Sequence, residues 1–145
     1  MPSRRVVILA ALLAAGTLGA GYAWFEPTFA GPSLHAPAVF KRLEAGEITL
    51  IDIRRPDEWE ETGTAKGALR LDMRRRDFVQ ALDALVDGDR TRPIAVICAR
   101  GVRSARMSDL LTENGFSNII NVPEGMLGSS AGPGWIARGL PVTAN

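Results

Sequence analysis

The feature that most constrains this chain is a five-residue apolar run, Ile94 to Cys98 (IAVIC), followed after only four residues by a segment with helical periodicity. The run has no polar alternation, so both of its faces need cover. That is the pattern of a central strand in a parallel sheet with helices on each side. A second run of the same kind, Ile48 to Ile53 (ITLIDI), lies upstream. A third, Ile119 to Val122, lies downstream.

Helical segments alternate with these strands. Ala36-Pro37 opens a short amphipathic helix with Val39, Phe40 and Leu43 on one face, closed by Gly46. Pro56 to Glu61 reads as a helical turn and Gly67 to Leu71 as a short strand. Asp77 is placed to cap a helix carrying Phe78, Leu82, Leu85 and Val86. After the cysteine, Arg103 or Ser104 starts a helix with Met107, Leu110 and Leu111 inward, ending at Gly115. Pro133 to Arg138 reads as a last helical turn. The expected fold class is α/β, a parallel sheet flanked by helices. At 145 residues the chain suffices for one such domain, here residues 34–145.

The start of the chain reads differently. Val6 to Phe25 runs twenty residues without a charge, behind Arg4 and Arg5. As a helix it covers about 30 Å, the thickness of a bilayer core. The arginines place the N-terminus in the cytoplasm and the domain outside. Length, and the cluster Tyr22, Trp24 and Phe25, favour an uncleaved membrane anchor over residues 1–25. A cleaved signal peptide, leaving a soluble periplasmic domain, is the alternative. Residues 26–33, with Pro27, Gly31 and Pro32, read as a linker. Net charge is +1, so no basic surface for nucleic acid is expected.

Cys98 is the only cysteine and His35 the only histidine. An internal disulfide and a multi-cysteine metal site are therefore excluded, and no metal or other cofactor is expected. A cysteine ending an apolar strand is by itself an ordinary core residue. The context changes that. Sites in open parallel sheets form at the carboxyl ends of strands. The loop Ala99-Arg100-Gly101-Val102 is short enough to curl, and Gly101 permits a positive φ. Successive N–H groups of such a loop can form an anion-binding nest, reinforced by the helix N-terminus behind it. With Arg100 and Arg103 beside it, the loop favours thiolate over thiol, which gives a nucleophile without a partner histidine.

Ile97-Cys98-Ala99-Arg100-Gly101-Val102-Arg103-Ser104 closely resembles the active-site loop of the rhodanese family. Asp52, Arg54, Glu58 and Trp59 are spaced like that family's Asp-x-Arg-x-x-x-Glu-aromatic segment. Gly63 to Ala68 is similar to its Gly-His-Ile-x-Gly-Ala segment, with Thr64-Ala65 in place of His-Ile. Gly115-Phe116, Gly125-Met126 and Trp135 match its C-terminal part, so the likeness covers nearly all of residues 33–142.

The resemblance implies a sulfurtransferase. Cys98 takes a sulfane sulfur from thiosulfate or a similar small anionic donor and passes it, as a persulfide, to a thiol, a protein acceptor or cyanide. The loop Ala99 to Ser104 would bind the persulfide, Arg103 orienting the loop and, with Arg100, attracting the donor. Asp52 and Arg54, at the end of a strand beside the site, are candidates for a supporting role. Two other readings stand beside this one. A carrier or docking module would load sulfur without turnover. A phosphatase or arsenate reductase of the same fold would need a C-x5-R loop, whereas here the arginine closes C-x4-R and Ser104 takes the next place.

Glu124 stands where the family often has glycine, and is expected to repel anionic substrates. Glu58 is expected to be structural, Arg74 to Arg76 a solvated face, and His35 an exposed linker residue. Gly128 to Gly134 reads as a flap near Cys98 or a surface loop.

Overall fold

The computed structural model describes residues 28–144. The segment Val6 to Phe25, expected to be a membrane helix, lies outside them. Among the described residues no helix is long and apolar enough to cross a membrane.

The order of elements is α1 (Ala36–Glu44), β1 (Thr49–Asp52), α2 (Pro56–Thr62), β2 (Thr64–Ala65), β3 (Leu69–Arg70), α3 (Phe78–Leu85), β4 (Ile94–Ile97), α4 (Val102–Glu113), β5 (Ile119–Asn121) and β6 (Val142–Thr143). Four strands form a parallel sheet in the order β3-β1-β4-β5. The expected α/β class is what the structure shows. β4 sits in the interior, and all four of its residues are buried, as its unbroken apolar run requires.

Strand alternation divides the core into two layers. Ile51, Ile53, Ile94, Val96 and Cys98 point to one side, where Phe78 and Leu82 of α3 and Met107 and Leu111 of α4 cover them. Leu50, Ala95 and Ile97 point to the other, against Val39 of α1 and Trp135. Cys98 therefore continues the phase of Ile94 and Val96 onto the face that α4 packs against.

Several expectations change in detail. Asp77 precedes α3 but makes no capping bond; its carboxylate is drawn instead to the guanidinium of Arg75. Leu85 is 40% exposed and Leu110 is 42% exposed, so neither faces inward. In α4 the buried arc is set by Ser104, Ala105, Met107, Ser108 and Leu111; at 100° per residue Leu110 falls roughly 60° outside it. α4 begins at Val102, earlier than expected, because Gly101 takes the preceding position with φ +88°. The segment Pro133 to Arg138 does form the expected single turn, closed by Arg138 N–H to Gly134 O at 3.1 Å.

Two pairings escape a sequence reading because each involves only a few residues. β2 pairs antiparallel with β6. The end of the stretch read as linker bonds to the sheet edge: Asn121 N–H donates to Pro32 O at 2.9 Å, and Leu34 N–H donates to Asn121 O at 3.0 Å.

Candidate active site

The site begins with the sulfur. Cys98 is 1% exposed. Two backbone donors converge on its Sγ: Gly101 N–H at 3.1 Å and Ser104 N–H at 3.3 Å. The Ser104 hydroxyl lies 3.4 Å from the same atom. These are the contacts an anionic sulfur needs, and they come from the N-terminal turn of α4, where peptide dipoles add a partial positive charge. The N–H groups of Ala99, Arg100, Val102 and Arg103 have no acceptor among the described residues. They are unpaired donors on the same loop that holds Sγ.

The outer side of the loop is fixed by the segment after β5. Met126 N–H donates to Cys98 O at 2.9 Å, and Leu127 N–H donates to Ala99 O at 2.8 Å. The fit leaves no room for a Cβ at two glycines. On Gly101 it would lie 2.0 Å from Pro123 O, and on Gly125 it would lie 2.3 Å from Ala99 O. The curl of the loop is thus imposed from both sides before any ligand arrives, which is how a site avoids reorganisation during reaction.

Arg103 does not bond the loop carbonyls. It reaches α2 and makes a two-pronged ion pair with Glu58, Nη1 to Oε2 at 2.7 Å and Nη2 to Oε1 at 2.6 Å. The pair ties the start of α4 to the start of α2, and it leaves Arg103 largely neutralised as an attractor for anions. The Arg103 guanidinium, helped by the Arg55 N–H and opposed by burial, lowers the Glu58 carboxyl from its ordinary 4.5 to about 2. A carboxyl depressed in the folded state stabilises the fold above its unfolded value, and that contribution is lost as pH falls through the folded value. Glu58→Gln should therefore be less stable than the parent at pH 7, and the two should converge between pH 4.5 and about 2. Urea titrations across that range test this, and a gap independent of pH would contradict it.

Arg100 remains the free cation of the loop. It is exposed and donates from Nη1 to Gly128 O at 3.2 Å. Alongside it a cleft of about 250 Å³ is lined by Arg100, Gly101, Val102, Phe29, Asn121 and Ser130, among others. The Oδ1 of Asn121 is buried and has no hydrogen-bond partner among the described residues.

Asp52 and Arg54 are fully buried and paired, Nη2 to Oδ2 at 2.7 Å and Nε to Oδ1 at 3.0 Å. Arg54 also donates to Thr62 Oγ1 at 2.9 Å and to Gly63 O at 2.9 Å. The Thr64 hydroxyl donates to the Asp52 carboxylate. The pair thus fastens the end of β1 to the end of α2, the helix that carries Glu58. Neither residue makes a hydrogen bond to Cys98.

Glu124 does not face the site, contrary to expectation. Its carboxylate is buried and accepts Ala36 N–H at 2.7 Å, Gly134 N–H at 2.9 Å and Arg138 Nε at 2.7 Å. Burial raises its pKa, but the Arg138 guanidinium and the two N–H groups outweigh burial and hold it below the ordinary value. It caps α1 and staples the segment after β5. His35 stands 3.6 Å from it with a side chain 63% exposed. Gly128 to Gly134 is closed by a tight reciprocal pair, Ser129 N–H to Gly132 O at 2.9 Å and Gly132 N–H to Ser129 O at 3.2 Å. Arg74 and Arg75 pair with Asp72 and Asp77 at the surface. No group of metal-binding side chains occurs among the described residues.

The cysteine and its loop are legible in the sequence, but the partner of Arg103 is not. The available signal was the place of Glu58 in the first turn after β1, on the same sheet edge as Cys98.

A buried thiol ringed by N–H donors, at the carboxyl edge of a parallel sheet, defines a class: α/β domains with a cysteine nucleophile in a preformed anion loop. Comparison narrows the class to a family. The sequence model of the Rhodanese-like domain matches residues 36–131, and the chain belongs to the rhodanese-like domain family. The solution structure of a polysulfide-sulfur transferase homodimer from Wolinella succinogenes is 30% identical, with a TM-score of 0.58 over 79% of each chain. A thiosulfate sulfurtransferase from Pseudomonas aeruginosa is 25% identical, with a TM-score of 0.62 over 78% of this chain and 20% of that one. A tRNA uridine(34) hydroxylase of Yersinia enterocolitica is 28% identical over 105 residues, which is 71% of this chain and 29% of that protein. The match thus spans less than a third of this curated relative.

Proposed function

We propose that this protein is a sulfurtransferase that carries sulfur as a persulfide on Cys98. One observation carries the reading: the loop donors close on the sulfur atom itself, at 3.1 and 3.3 Å. A loop built for phosphate or arsenate must be wide enough to hold a tetrahedral oxyanion. Here the C-x4-R loop is held tight by Met126 and Leu127, and Cys98 is almost inaccessible. A slim, singly bonded sulfur suits that depth. The likeness to the Wolinella polysulfide-sulfur transferase supports the same chemistry.

The reaction has two halves. The Cys98 thiolate attacks the outer sulfur of thiosulfate or a similar donor. The donor S–S bond breaks, and sulfite leaves with the electron pair. Cys98 then holds a persulfide whose outer sulfur is next to the free loop N–H groups. An acceptor thiolate or cyanide attacks that outer sulfur, the persulfide bond breaks, and the electron pair returns to Sγ. No outside oxidant or reductant enters. Arg100 supplies the positive charge that draws the donor in, and the adjacent cleft has room for the rest of an organic thiol. Full-length protein given thiosulfate and cyanide should form thiocyanate over many turnovers. Loading of one sulfur per chain with no thiocyanate formed would identify a carrier that passes sulfur only to a dedicated partner protein.

Place follows from the N-terminal sequence. We infer that Val6 to Phe25 anchors the protein and holds its domain outside the cytoplasm. Full-length protein should stay with membranes through a carbonate wash and be cut by protease added to spheroplasts. Recovery in the soluble periplasm without its first 20 or so residues would show a cleaved signal instead. Recovery as a full-length, soluble cytoplasmic protein would defeat both.

A further inference from the structure

Ser104 is fully buried and places two groups against one sulfur, its N–H at 3.3 Å and its hydroxyl at 3.4 Å from Cys98 Sγ. The hydroxyl also lies 3.1 Å from Gly101 O, to which it donates. That carbonyl has a second donor, the Ala105 N–H at 3.1 Å. The single hydroxyl proton therefore has two acceptors within reach, and the carbonyl keeps a hydrogen bond when the proton turns away. With Cys98 as a thiol, S–H donates to Ser104 Oγ and the hydroxyl donates to Gly101 O. With Cys98 as a thiolate, the S–H is gone and Sγ becomes the stronger acceptor, because hydrogen bonds to ionised groups are roughly twice as strong as neutral ones.

We propose that Ser104 is a catalytic residue whose hydroxyl swings from Gly101 O to Cys98 Sγ as the persulfide bond breaks, and so assists the departing thiolate; this rests on the sulfur-transfer reading above. In the persulfide, Sγ is bonded to carbon and sulfur and is a poor acceptor, so the hydroxyl stays on Gly101 O. When the acceptor attacks the outer sulfur, an electron pair moves onto Sγ and the hydroxyl bond forms with the developing charge. No proton is transferred. An interaction stronger in the transition state than in the ground state accelerates the step. In the loading half the direction is reversed: the thiolate already holds the hydroxyl bond and gives it up as it attacks. The hydroxyl therefore speeds discharge of the persulfide selectively.

The test separates the halves by rapid mixing of full-length protein. Ser104→Ala should slow discharge of the preloaded persulfide to cyanide by about ten-fold or more, the effect of one hydrogen bond to a charged group. It should change loading from thiosulfate by no more than about three-fold, because lower thiolate content and higher nucleophilicity offset each other. Ser104→Thr, which keeps the hydroxyl, should restore discharge. Equal slowing of both halves, or unchanged discharge, would overturn the proposal. A second measurement needs no sulfur donor: the pH at half-maximal alkylation of Cys98 by iodoacetamide should rise in Ser104→Ala and return in Ser104→Thr. An unchanged alkylation profile would also overturn it. If thiosulfate fails to load the parent protein, the sulfur-transfer reading falls while the alkylation profile still decides whether the hydroxyl serves the thiolate.

Discussion

Cys98→Ser is expected to fold as the parent does and to lose sulfur transfer. The site is buried, and oxygen replaces sulfur in a pocket whose donors, the N–H groups of Gly101 and Ser104, can bond either atom. The alcohol is a far weaker nucleophile than a thiolate, and the one histidine of the chain, His35, pairs with Glu124 and not with residue 98. There is no second thiol to take over. Activity should fall below about 1% of the parent, on a scale where loss of a nucleophile costs orders of magnitude. Thiocyanate formation measures it, with circular dichroism confirming the fold. Activity above that level would mean that the sulfur travels by a route that does not pass through Cys98.

Asp52→Ala is expected to act on stability instead of chemistry. It leaves the fully buried Arg54 guanidinium without its counter-charge, and it removes the acceptor of the Thr64 hydroxyl. Breaking a buried pair from one side typically costs about 3–5 kcal/mol, a large part of the roughly 5–15 kcal/mol that holds a domain together. Urea unfolding should show that loss. Asp52→Asn should lose less, because its carbonyl oxygen can still accept from Arg54 and Thr64. Folded Asp52→Ala should still be loaded by thiosulfate, because Asp52 makes no hydrogen bond to Cys98. A loss below about 1 kcal/mol would show that water or a shifted partner satisfies Arg54, and that the pair does not fasten β1 to α2 as described.

These two residues show how differently parts of the site can be read from sequence. The strand, the curled loop and the helix behind it are consecutive, so their chemistry is visible in one short segment from Ile94 to Ser104. Burial of β1 and β4 follows from their apolar runs, and with it the parallel sheet. What depends on distance along the chain is hidden. The partner of Arg103 is Glu58, 45 residues away, whereas the resemblance implied that Arg103 orients its own loop and attracts the donor. Glu124 reaches Ala36 across 88 residues, so a carboxylate that follows β5 at the sheet edge carrying the site turns away from it. Leu85 and Leu110 each stand three residues after a buried neighbour yet lie exposed, because the covering layer sets how wide an arc of the helix is buried. The β2–β6 pair has two residues in each strand, too few for alternation to show.

The claim that everything else depends on is that Cys98 itself holds the sulfur. Intact-mass spectrometry of the full-length protein after incubation with thiosulfate, followed by removal of the donor, tests it most directly. A gain of one sulfur atom per chain is expected, located on the peptide containing Cys98, absent in Cys98→Ser and released by cyanide. A protein whose mass does not change under these conditions, or one that gains sulfur equally in Cys98→Ser, would contradict it.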